Sequence, residues 1–457
     1  MHGHRRSVLA ALAVATGMIL AIPTPALAAA GDVRWISRYD GSGLSDSGWG
    51  VLSPDGTRMY VGGETQTDVT NSSGLLISYD TMTGGQLWAT TYDGPGRRDF
   101  FDGLQASPDG SKVFVIDWQW PATSLHTDWL VLGFDAATGS RLWTTPLGSA
   151  GRSEYPTAMQ TSPDGSLLFV TGVSHTDGGP TTVAYDTSDG SIAWTSRCDG
   201  PRRCGGYGIG VSPDGAMVVV AGYTAARGSR PEEATTIAYD AATGTQEWIA
   251  RVRGAYYFEG VGISPDGSTI FVTGSQYGAR TGYAIRTVAY RADDGTRLWS
   301  QRLQGPARDD EGGTLVVSPD GSRVFVNGQT RTLQHGFDYR TVAYDAGTGD
   351  ELWTSRFDGP AHRYDGLDAG TLSPDGHMLY VVGTSAGAGT KHDVGVVAYD
   401  TSTGAAVWTY RYDGPDHRYD QGWPAGVSPD GSTLYIAGSS QGATTGADVL
   451  ALALATR

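Results

Sequence analysis

Cysteine is nearly absent: Cys198 and Cys204 are the only two in 457 residues. Two thiols cannot by themselves complete a structural zinc site, so no such framework is expected. Six positions apart in a chain with an export signal, they read as a local disulfide closing a small loop. Lysine is as scarce, with only Lys112 and Lys391. Nearly every positive charge is therefore an arginine, a side chain suited to flat, bidentate contacts with carboxylates. Positive charge itself is short, because 32 Lys and Arg stand against 48 Asp and Glu for a net charge of −16. That excludes nucleic acid as a partner, since phosphate binding needs a basic face. Long apolar runs are also missing. The run at residues 8–22 follows Arg5 and Arg6 and precedes Ala26-Leu27-Ala28, the pattern of an export signal over residues 1–28. It is too short to span a bilayer, and no later stretch reaches the roughly 18 apolar residues that a span requires. The start His4-Arg5-Arg6-Ser7-Val8-Leu9 is similar to a twin-arginine signal, so both that route and the general secretory route stay open. A secreted monomer of residues 29–457, without an integral membrane span, is expected. Phosphate-binding glycine loops, a nucleophile elbow and a His-Glu-x-x-His helix are absent as motifs.

Glycine is abundant, with 67 residues, and only 18% of the chain is charged. This composition is too apolar for a disordered chain and too interrupted for long helices. The turns recur. Ser-Pro-Asp-Gly begins at Ser53, Ser107, Ser162, Ser212, Ser264, Ser318, Ser373 and Ser428, a mean spacing of about 54 residues, near the length of a propeller blade. Proline presets φ in each turn and glycine supplies the positive φ that it requires. Each copy continues with an alternating run ending in glycine, a variable polar loop, a third run into an Asp-x-x-Thr-Gly turn, and a strand carrying Trp88, Trp143, Trp194, Trp248, Trp299, Trp353 or Trp408. Four strands per unit, repeated radially, predict an all-β, eight-bladed β-propeller of one domain. The chain begins with a lone tryptophan strand, Val33–Tyr39, and ends after a third strand at 449–454. The N-terminal strand should therefore complete the last blade and close the ring.

The segment Ala238-Tyr239-Asp240-Ala241-Ala242-Thr243-Gly244-Thr245-Gln246-Glu247-Trp248 resembles the tryptophan-docking pattern of propellers in the pyrroloquinoline-quinone (PQQ) dehydrogenase superfamily. Segments 343–353 and 398–408 match it fully. In 184–194 Asp189 replaces the threonine, and in 289–299 Arg291 and Asp294 stand at the Asp and Thr places. The glycine-ended second strands are also similar to bacterial secreted propeller repeats. The resemblance implies an eight-bladed, PQQ-like fold, but it does not carry the cofactor. The dehydrogenases hold the quinone with a vicinal disulfide and long inserted loops, whereas these cysteines are six apart and these loops are short. PQQ is not expected, and fold alone does not give function.

Repetition separates scaffold from site. The repeated tryptophans and the Asp of each Ser-Pro-Asp-Gly read as inter-blade packing and turn formation. Eight residues before each turn serine stand Ser45, Asp99, Glu154, Cys204, Tyr256, Asp310, Asp365 and Asp420. Carboxylates of Asp310, Asp365 and Asp420, from three consecutive blades, are candidate calcium ligands; the alternative is that each accepts a local backbone N–H or pairs with a neighbouring arginine. His362-Arg363-Tyr364-Asp365 and His417-Arg418-Tyr419-Asp420 follow two Asp-Gly-Pro loops. A histidine beside a carboxylate is a candidate acid–base pair, which makes His362, Asp365, His417 and Asp420 catalytic candidates and Arg363 and Arg418 ligand-binding ones. Aromatic departures add Trp118, Trp120, His126 and Trp129 in one connection, and Tyr256 and Tyr257 with Tyr277, Arg280 and Tyr283 in another. Such platforms suit a carbohydrate. The expected function is a binding or scaffold module for a glycan, small molecule or protein. An exported lyase or hydrolase acting on carbohydrate is the alternative, and quinone-dependent oxidoreduction the third.

Overall fold

In the computed structural model the described residues are 28–457, apart from 42, 69, 95, 122–127, 148–153, 175–179, 198–201, 227–232, 279–281 and 334–335. Among them 32 strands pair as eight four-stranded antiparallel meanders. Blades 1 to 7 occupy residues 46–92, 96–147, 154–197, 202–252, 255–303, 310–357 and 365–412. Blade 8 takes its first three strands from 420–455 and its outer strand from Val33–Tyr39, which pairs antiparallel with Ala447–Ala455. The expected closure of the ring by the N-terminal strand is what the structure shows. Lateral bridges join two pairs of blades: Ser72 with Arg98, and Val173 and Ser174 with Gly205 and Cys204. No helix among the described residues is long and apolar enough to cross a membrane.

Each Ser-Pro-Asp-Gly turn is wired internally. The Asp Oδ1 accepts the hydroxyl of the serine before it, as in Ser107 to Asp109 at 2.6 Å, and the N–H two residues on, Ser111, at 3.0 Å. The turns also touch around the disc. Pro54 lies against Gly110, Pro108 against Gly165, and so on through every blade until Pro429 lies against Gly56. Alternating strands place these turns and the Asp-x-x-Thr-Gly turns on one face, the turn face.

The outer-strand tryptophans latch each blade to the next. Indole N–H groups donate across the junction from Trp35 to Thr81, Trp194 to Ala241, Trp248 to Ala292, Trp299 to Ala346 and Trp353 to Thr401, at 2.7–2.9 Å. Their rings cover the glycine of the receiving turn; Trp353 lies over Gly404, whose φ of 71° only glycine adopts without strain. Trp408 breaks the pattern. The third and fourth strands of blade 8 are not consecutive in the chain, and Trp408 packs near Gly31 with its indole N–H buried and without a partner.

Candidate functional site on the loop face

The remaining connections form the opposite, loop face. There the repeated inner-strand carboxylate closes the loop arriving from the preceding blade. Asp46, Asp99, Asp310, Asp365 and Asp420 accept the N–H of Gly41, Gly94, Gly305, Gly359 and Gly414 at 2.6–2.8 Å. All five are buried. Burial pushes Asp310, Asp365 and Asp420 above the usual carboxylate range, against the pull of these hydrogen bonds. Asp46, not Ser45, fills this role in blade 1. The inner strand there pairs without a register shift, whereas the inner strands of the other seven blades each carry a bulge that adds a residue before the turn.

Asp310, Asp365 and Asp420 do not form one ligand set, because the three inner strands belong to different blades and each carboxylate is used locally. Of the local alternatives, the backbone N–H contact is present at all three carboxylates, and Arg418 reaches Asp416 at 2.9 Å. The carboxylates group instead across blade junctions. Asp338, Asp358 and Asp365 form one cluster, and Asp393, Asp413 and Asp420 a second. In the first, Arg356 donates from Nε to Asp338 at 2.5 Å and from Nη2 to Asp358 at 3.2 Å. In the second, Arg411 grips Asp393 and reaches the Ser385 carbonyl at 2.9 Å.

The histidines pair differently from expectation. His362 Nδ1 lies 3.1 Å from Asp358 and His417 Nδ1 2.7 Å from Asp413, not beside Asp365 and Asp420. The cause is local. A Gly-Pro-x-His turn closes with the His362 N–H on Gly359 O at 3.0 Å and the His417 N–H on Gly414 O at 3.1 Å. Left-handed φ values of 49° and 54° at these histidines turn each chain back over its own Asp-Gly-Pro. The hydrogen bond and charge of Asp413 hold His417 above its ordinary value.

An aromatic row crosses blades 6 to 8 on this face. Phe337 meets Tyr364 edge-on at 6.2 Å, Tyr364 stacks on His392 at 5.5 Å, and His392 meets Tyr419 at 5.3 Å. Lys391 Nζ stands 4.6 Å over the Tyr419 ring. Tyr364 and Tyr419 are 40% and 46% exposed, so the row is open to a partner. It is built in part by main chain, since the His392 N–H donates to Arg418 O at 2.8 Å and pins the loop to blade 7. Sequence reasoning had Tyr364 and Tyr419 within the quartets but missed Phe337 and His392, whose signal is their shared place at the start of the third strand, 55 residues apart.

Of the other aromatic candidates, Tyr256 and Tyr257 are half-buried and pack together at 5.4 Å, with Tyr207 of blade 4 against Tyr257 at 5.2 Å. Tyr277 and Tyr283 pair at 4.9 Å. Trp129 is buried core. The side chains of Trp118 and Trp120, together with His126, Arg280 and Cys198, lie outside the described residues. Cys204 is buried in the inner strand of blade 4. Its sequence neighbours are Arg203 and Gly205, so it cannot build the vicinal disulfide on which the dehydrogenases seat their quinone.

Two inner-strand carboxylates at bulges are strongly perturbed. Burial raises Asp368 to about 7, and burial with the charge of Glu311 raises Glu259 to about 8. Both folded-state values lie above the unfolded one, so their stabilising contribution is complete at acid pH and is lost as pH rises through about 7 and about 8. The melting temperature should therefore fall between about pH 4 and pH 8, and Asp368→Asn with Glu259→Gln should flatten that slope. A slope unchanged in the double variant contradicts the assignment.

The family described as outer membrane protein assembly factor BamB matches residues 127–410 and 286–452, most of the chain. The chain belongs to this PQQ-like propeller family. No curated protein sequence matches it. Among solved structures, BamB from Moraxella catarrhalis is similar at 14% identity over 92% of this chain and 99% of that one, with a TM-score of 0.52. A europium-containing methanol dehydrogenase is similar at 13% identity over 93% of each chain, with a TM-score of 0.55. The C-terminal WD40 domain of Sif2 gives 12% identity over 93% and 99%, with a TM-score of 0.56. At such identities the likeness is one of fold.

Proposed function

We propose that this PQQ-like propeller is an exported scaffold that binds a protein partner through the loop face of blades 6 to 8. The observation that carries this reading is the row of exposed Tyr364 and Tyr419 with half-buried Phe337 and His392, beside Lys391 on an otherwise acidic chain. Aromatic rings held on a rigid support give large contact area at small entropic cost, as the centres of protein interfaces do. Stacking of the rings on one another leaves edges and half-faces, which suit a protein surface better than the open platform that a sugar needs. The BamB-like family supports a scaffold role. In this reading residues 1–28 direct export, and Cys198 and Cys204 join in the oxidising compartment. Photo-crosslinking tests the proposal. A reactive residue at Tyr364 or Tyr419 should capture a discrete protein in the producing cell, while one at Met82, 87% exposed on the turn face, should not. Equal capture from both faces, or a glycan as the only ligand of the row, contradicts it.

A further inference from the structure

We propose that a hard divalent cation of the calcium class binds at the junctions of blades 6–7 and 7–8, held by Asp338, Asp358 and Asp365 and by Asp393, Asp413 and Asp420. This is independent of whether the aromatic row takes a protein. In each cluster one oxygen from every carboxylate lies within 4.8 Å of the others. Calcium takes oxygen ligands at about 2.3–2.6 Å, so ligands on opposite sides of one ion stand about 5 Å apart; the clusters fit within that span.

In each cluster the hydrogen bonds fall on Oδ2 of every carboxylate. At the 6–7 junction Oδ2 of Asp338 and of Asp358 is bound by Arg356, and Oδ2 of Asp365 by the Gly359 N–H. Oδ1 of Asp338 and Oδ1 of Asp358 are buried without a partner, and Asp338 is wholly inaccessible. The 7–8 junction repeats this. Asp393 accepts Arg411 and Thr390 on Oδ2, Asp420 accepts the Gly414 N–H on Oδ2, and Asp413 accepts His417. Asp393, 1% exposed, again leaves Oδ1 buried and unpartnered. A buried carboxylate oxygen with no donor is costly, and its recurrence at the same place in two blades points to a ligand both junctions lack a side chain to replace. The Ser385 and Ser440 hydroxyls stand beside Asp365 and Asp420 as further oxygen donors.

Charge agrees. Three carboxylates face one guanidinium at each junction, with a histidine on the outermost, so ionisation of all three leaves an excess of negative charge that a divalent cation offsets. Neighbouring junctions serve as internal comparisons. Between blades 5 and 6 the corresponding positions are Ala284, Gln304 and Asp310, so one carboxylate remains. Between blades 8 and 1 they are Asp448, Asp40 and Asp46, where Arg38 binds Asp448 at 2.8 Å and the Ser440 carbonyl at 3.0 Å; this third trio is not drawn to within the same distance among the described residues.

Calorimetric titration of calcium chloride into the EDTA-treated protein tests the assignment, with terbium luminescence as a second readout. Saturable binding is expected, at least tenfold weaker in Asp338→Asn/Asp393→Asn and unchanged in Asp310→Asn. Asp358→Asn/Asp413→Asn, which alters loop positions, should reproduce the loss if the first pair fails to fold. Absence of saturable heat and of terbium luminescence in the unaltered protein overturns the proposal, as does undiminished affinity in the paired variants.

Discussion

Deleting residues 29–40 should destabilise the whole protein and turn it toward self-association. The segment contains the only strand that closes blade 8 from outside, pairing from Val33 opposite Leu454 to Tyr39 opposite Val449. It also carries the latch to blade 1, with Trp35 donating to Thr81 at 2.8 Å, and the Arg38–Asp448 ion pair at 2.8 Å. Six paired positions at a net contribution of roughly 1 kcal/mol each give a loss of about 6 kcal/mol before the tryptophan is counted. The newly bared edge of Ala447–Ala455 is long and apolar, the kind of edge that recruits another chain. Thermal unfolding and size-exclusion chromatography check this; an unchanged melting temperature and a monomeric elution contradict ring closure by the N-terminal strand.

Trp353→Ala should have the next largest effect, about 3–5 kcal/mol, because it removes a large buried ring and leaves a cavity between blades 6 and 7. The ring covers Gly404, and its indole bonds Thr401 at 2.9 Å. Trp353→Phe retains most of the contact and loses the hydrogen bond, so about 1 kcal/mol is expected. Trp408→Phe discriminates, since its indole N–H has no partner to lose and the change should cost less. Chemical denaturation of the three variants gives the order; equal losses for the two Phe variants would mean that the latch hydrogen bonds contribute nothing.

The scaffold was legible because every blade repeats the same local chemistry. A turn of Pro, Asp and Gly needs no distant information, and complementary chain ends imply a shared blade. The site was less legible, for reasons that particular residues make plain. Counting back from Ser53 lands on Ser45, because blade 1 lacks the bulge that shifts the count elsewhere, and Asp46 is thereby hidden. Asp338 and Asp393 join their clusters from the third strand of one blade while Asp365 and Asp420 come from the next, a contact across a junction that no spacing within one repeat reveals. The histidine beside an aspartate in sequence proved the wrong pair, since a left-handed turn at His362 directs the ring to Asp358, four residues earlier.

Binding through the loop face is tested most directly by the affinity of the protein captured at Tyr364 for the Tyr364→Ala/Tyr419→Ala variant and for Met82→Ala. Truncating two central aromatic contacts should weaken Kd by at least 30-fold, on the order of 2 kcal/mol, with the melting temperature unchanged, whereas Met82→Ala should bind as the unaltered protein does. Full affinity in the double variant would contradict the account.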